Sequence, residues 1–132
     1  MQFHATAAFE QGVADVDPIA APATILTDHV LWPKRDAPTD PATLYIVLEG
    51  TAAETVTLDL YFLLENGRVD AKISDYINTS ARWFQFATGQ VITNGTLTKI
   101  TSGLPAGGAI YARRTADAIT AGQTRKLRIA WQ

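Results

Sequence analysis

Cysteine is absent from the 132 residues, which excludes disulfides, thiolate zinc sites and cysteine nucleophiles together. The redox compartment is therefore unmarked. Histidine occurs only at His4 and His29, without His-x-His or His-x3-His spacing, so a structural or solvated role is expected for both. Serine occurs only at Ser74, Ser80 and Ser102, none of them in a nucleophile-elbow context. No apolar run approaches the roughly 20 residues that span a bilayer, and the first thirty residues lack a basic start followed by an apolar block. These absences predict a soluble protein without a Sec-type signal and without a membrane partner. The glycine-rich Ser102–Gly108 lacks the lysine and following helix of a phosphate-binding loop. The sequons at Asn78 and Asn94 matter only in a secreted eukaryotic setting, which nothing else in the sequence supports.

What is present alternates. In Val56–Leu64 the apolar Val56, Leu58, Leu60, Phe62 and Leu64 fall on one face of an extended chain, with Thr57, Asp59 and Tyr61 on the other. Leu44, Ile46 and Leu48 repeat that period, and Glu49–Glu54 breaks the two runs, so Thr43–Asn66 reads as a long central hairpin. Glu65-Asn66-Gly67-Arg68 and Asn94-Gly95 are tight-turn signals, the first followed by an alternating stretch, Val69 to Ile73, that predicts a returning strand. Shorter strands are expected at Thr24–Trp32, Ala81–Ala87, Gln90–Thr93, Thr96–Thr101 and Ala109–Ala116. A closing strand carries Leu127, Ile129 and Trp131 in phase. Lys34–Pro41 reads as an exposed loop. Eight to ten short strands, with turn signals every eight to twelve residues, predict an all-β protein: an antiparallel β-sandwich of jelly-roll or Greek-key type. It is one domain over residues 24–132, preceded by a strand or extended arm over residues 1–23, where Pro18 and Pro22 argue against a helix and a central strand.

Net charge is −2, but residues 1–66 carry −8 and residues 67–132 carry +6. Interleaving of strands from the two halves would mix these charges in space. If it does not, an acidic face of one subunit can meet a basic face of the next. Asp15-x-Asp17 and Asp36-x3-Asp40 could hold calcium through loop oxygens, but paired loop acids are ordinarily solvated. Glu49 and Glu54 bracket one turn without any sign of the cleft a glycosidase requires. No cofactor and no catalytic residue are expected. Nucleic acid is not an expected partner either, because the chain is slightly acidic overall.

Gly103-Leu104-Pro105-Ala106-Gly107-Gly108-Ala109-Ile110-Tyr111-Ala112-Arg113-Arg114-Thr115-Ala116, a Thr/Ala/Gly linker and the closing strand Thr124–Trp131 resemble the ends of small β-sandwich virion proteins of tailed bacteriophages, the capsid decoration or cement proteins in particular. The likeness covers about thirty residues and carries no diagnostic motif. It implies a non-enzymatic structural protein, made in the host cytoplasm and sited on the capsid surface. Such a protein would assemble with itself, often as a trimer, and with the major capsid protein. A neck, tail or fibre component would look similar. On that reading the partner-binding candidates are Phe3, Phe9 and Ile19 of the arm and the bases Arg113, Arg114, Arg125 and Arg128. The alternative is a carbohydrate-binding sandwich in which Tyr45, Tyr61, Trp32 and Trp83 stack on sugar faces.

Overall fold

The computed structural model describes residues 3, 5–12, 15, 31–32, 42–63, 83–104 and 110–131. Among them are eight strands: β1 (Ala5–Glu10), β2 (Leu31–Trp32), β3 (Ala42–Glu49), β4 (Thr55–Leu63), β5 (Trp83–Thr93), β6 (Thr98–Leu104), β7 (Ile110–Ala118) and β8 (Thr124–Trp131). They form two four-stranded antiparallel sheets, ordered β1-β8-β3-β6 and β2-β7-β4-β5. The pairs nest: first with last, second with seventh, third with sixth, fourth with fifth.

The period of two explains the packing. Leu44, Ile46 and Leu48 of β3 and Leu127, Ile129 and Trp131 of β8 point inward from the first sheet. They meet Val56, Leu58, Leu60 and Phe62 of β4 and Ile110 and Ala112 of β7 from the second. Each large side chain so enclosed contributes about 1.5–3 kcal/mol. The closing strand is central in its sheet, flanked by β1 and β3, as expected for a strand pinned by Trp131.

The central hairpin is corrected. β3 and β4 lie in different sheets and share no ladder, so the connection between them is an arch across the sandwich. A strand pair in one sheet and two strands facing each other across a core bury their apolar faces equally well, and a period of two does not distinguish them. The Asn94-Gly95 turn likewise joins β5 to β6 in the opposite sheet. The two short strands expected at 81–87 and 90–93 are one, β5, interrupted by a bulge where Thr88 and Gly89 stand between the partners of Leu60 and Leu58. Gly89 has φ 64°, open to glycine at no steric cost, and its N–H donates to Asp59 Oδ1 at 2.8 Å. The expected strand at Val69–Ile73, the loop at Lys34–Pro41 and residues 16–23 of the expected arm lie outside the described residues. β1 itself is an edge strand of the first sheet.

Strands from the two halves of the chain alternate across both sheets. The sequence asymmetry is thereby converted into ion pairs: Glu49–Arg128, Glu54–Arg125, Asp15–Arg114 and Asp59–Arg113 each join an acid of the first half to a base of the second.

Candidate functional site

One end of the sandwich is organised by Glu54, the last residue of the β3–β4 arch. Its Oε1 accepts from Thr51 N–H at 2.5 Å and Arg125 Nε at 2.8 Å. Its Oε2 accepts from Thr120 N–H at 2.7 Å, Thr120 Oγ1 at 3.0 Å and Arg125 Nη2 at 3.1 Å. The Glu54 carbonyl accepts from Asn94 N–H, and Asn94 Oδ1 accepts from Gly50 N–H. The Glu54 side chain thus ties together the β3–β4 and β7–β8 connections and strand β8, and its backbone carbonyl adds the β5–β6 connection. The Arg125 fork, followed by the Thr51 and Thr120 N–H groups, holds the Glu54 carboxyl well below the usual carboxylate range, and raises the Arg125 pKa in turn. A carboxylate held ionised by this many donors serves as an anchor and is a poor proton donor. Gly50 is required by close approach, because a Cβ there would run into Glu54 Oε1. A shallow cleft of about 350 Å³ beside this anchor is lined by Glu49, Thr51, Thr124, Arg125 and Lys126.

The same arch holds Ala53 at φ 68°, in the left-handed region. Ala53→Gly removes the Cβ that opposes this conformation, and should raise stability by about 0.5–1 kcal/mol in chemical denaturation. An unchanged or lowered midpoint would mean that the turn carries no strain at Ala53.

A second anchor lies at the lateral opening between β1 and β7. Arg114 Nε and Nη2 donate to Asp15 Oδ2 and Oδ1, each at 3.0 Å, while the Arg114 N–H also donates to Oδ2. Nη1 donates to the Glu10 carbonyl at 2.6 Å, and the guanidinium lies 4.7 Å above the Phe9 ring centroid. Both charged side chains are almost fully enclosed, at 4% and 1% exposure. Asp117 completes the knot, accepting from Gly12 N–H at 3.2 Å. The adjoining cleft, about 320 Å³, is lined by Gly12, Asp15, Asp117 and the Arg113–Ala116 stretch.

This geometry relocates most of the residues singled out in the sequence. Phe9 is in the core and beneath Arg114, so it is unavailable to a partner. Arg114 and Arg125 hold the fold together. Arg113 and Arg128 are partly exposed, the latter 2.9 Å from Glu49. Phe3 is half-buried, and Ile19 lies outside the described residues. Tyr61 is 2% exposed, contrary to its expected place on an open face. It sits opposite Tyr111 on β7, ring centroids 6.2 Å apart, on the side of the second sheet that faces away from the core. Tyr45 is half-buried on the outer face of the first sheet, beside Lys99. The side chains of Trp32 and Trp83 lie outside the described residues. Asp15, half of a conceivable calcium pair, is taken by Arg114, and among the described residues no three His, Asp or Glu side chains cluster.

The sequence reading of Glu54 as a turn acid beside Glu49, solvated by default, is corrected by its five hydrogen bonds, although a signal for them was available. Thr51-x-x-Glu54 has the spacing by which a Glu side chain reaches back to a Ser/Thr backbone N–H, as it does here.

No protein-family model, no curated protein and no solved structure matches this chain.

Proposed function

We propose that this chain is a non-enzymatic structural protein of a bacteriophage virion, of the capsid decoration type, with a sandwich wrapped as a jelly roll. The observation that carries the reading is the nested pairing of the strands, first with last through fourth with fifth, the order that results from rolling one long antiparallel hairpin. Viral capsid and lectin domains are among the settings of that architecture. The step from architecture to role is an analogy, joined to the resemblance of the C-terminal third. Two further features support it. The ionised residues most able to do chemistry, Glu54, Arg125, Asp15 and Arg114, are spent on fastening connections. The outer face of the first sheet bears the exposed Lys99, Lys126 and Glu49 beside the half-buried Tyr45 and Val47, a mixed surface suited to contact with another protein. The sugar-binding reading loses Tyr61 to burial and gains no new observation.

The test is mass spectrometry of density-purified particles released from the source cells. Peptides of this chain at copy numbers comparable to the major capsid protein support decoration. A few copies per particle would move the chain to the neck, tail or fibre, and absence from particles while the free protein is abundant would overturn the proposal.

A further inference from the structure

Among the described residues the two sheets have four edge strands, and three are guarded. β5 is broken by its bulge at Thr88–Gly89, β6 carries the exposed Lys99, and β2 is two residues long. Bulges, charges and short length are the devices that stop sheets from adding further strands. β1 is the least guarded: Ala5-Thr6-Ala7-Ala8-Phe9 is uncharged and free of proline and glycine, and its one charge, Glu10, stands at its end.

The register tells which backbone groups face outward. Gln11 N–H donates to Gln123 O, continuing the β1·β8 ladder in which Phe9 opposes Arg125 and Ala7 opposes Leu127. Antiparallel hydrogen-bonded pairs alternate, so residues 5, 7, 9 and 11 spend their N–H and C=O groups on β8, and Thr6, Ala8 and Glu10 turn theirs to the outer edge. The Glu10 carbonyl agrees with this, since it is taken from that side by Arg114. Among the described residues, no strand pairs with this edge.

We propose that β1 joins two copies of this chain, running antiparallel about a two-fold axis at Ala8, so that the first sheets of both continue as one sheet of eight strands. The partner is a second copy because the edge complements itself. With Ala8 opposite Ala8, the N–H and C=O of each Ala8 pair with those of the other copy, and Thr6 of each copy opposes Glu10 of the other, whose N–H meets the Thr6 carbonyl while its own carbonyl stays with Arg114. Thr6 also faces Arg128 within its own sheet. Glu10 and Arg128 of the second copy therefore share one row on one face, two strand spacings or about 10 Å apart at the backbone, within reach of their long side chains. The pairing makes that contact twice. Shifting the centre to Ala7 would instead bring Lys126 and Arg128 of opposite copies into one row, which like charges disfavour. An interface of this kind is isologous and closes on itself. It holds whether or not the chain belongs to a virion, so its test is separate from particle composition.

The experiment is sedimentation equilibrium of the full chain across a concentration series, with Ala8→Pro and Ala8→Lys alongside. The wild type is expected at twice the 14.3 kDa chain mass. Ala8→Pro keeps the β1·β8 ladder, because the Ala8 N–H is not part of it, but removes the central donor of the pairing. Association should weaken, with Kd rising roughly 100-fold. Ala8→Lys opposes two ammonium groups and should do the same, more so at low salt. A lysine at the equally exposed Thr101 of β6 should leave the mass unchanged. In the wild type, amide exchange at Thr6 and Ala8 should slow as concentration rises, a readout independent of how the variants fold. A monomer throughout, a trimer, or an assembly untouched by both Ala8 variants would overturn the proposal.

Discussion

Replacing Asp15 with alanine is expected to remove about 3–5 kcal/mol of folding stability, because it leaves the Arg114 guanidinium enclosed at 4% exposure without its bidentate partner. For a domain of this size, with a total stability of about 5–15 kcal/mol, that loss leaves the fold marginal. Urea denaturation followed by tryptophan fluorescence measures it directly. The double variant D15A/R114M should recover a large part of the loss, since a methionine there needs no counter-charge and still covers Phe9. A loss under 1 kcal/mol for D15A would mean that Arg114 finds water in solution and that the knot at the β1–β7 opening is not a structural anchor.

Glu54→Gln should produce the other large effect. The variant keeps the shape but removes the charge that Arg125 and two backbone N–H groups converge on, and its amide NH2 meets donors instead of acceptors. A fall in melting temperature on the order of 10 °C at neutral pH is expected, readable by calorimetry. The sign with pH is fixed by the direction of the shift. The Glu54 pKa is lower in the folded chain than its ordinary 4.5. Its stabilisation is thus complete above that pH and is lost progressively below it, as the unfolded chain takes up a proton that the folded chain does not. The wild type should therefore lose melting temperature more steeply than the variant as pH falls from about 5 to 3. Parallel slopes would show that Glu54 is not the acid-sensitive group.

The element types were legible because the core side of each strand carries apolar residues at every second position. Leu127, Ile129 and Trp131 mark β8 as surely as Val56, Leu58 and Leu60 mark β4. What alternation could not carry was partnership. The same pattern serves a hairpin and an arch, so β3 and β4 were read as one sheet although they belong to two. Nor could it say which of two faces is open. Tyr61 alternates with core residues and is nonetheless buried, against Tyr111, on the other side of its sheet. The anchors were legible only as charges. Arg114 looks like part of a basic surface until the register turns it inward beside Leu58 and over Phe9. Its partner, Asp15, lies ninety-nine residues away, a separation no local pattern spans. The uneven charge of the two halves was the one long-range signal in the sequence, and strand alternation is what it became.

That alternation also sets the order in which the molecule can be made. Among the described strands, β1 has no neighbour in its sheet except β8, and β2 none except β7. A chain emerging from the ribosome at about 5–20 residues per second therefore carries β1 without a ladder for on the order of ten seconds until β8 follows it out. Of the four nested pairs, β4 with β5 is closest in sequence and β1 with β8 farthest apart, so a block to synthesis late in the chain leaves the earliest strand without its partner.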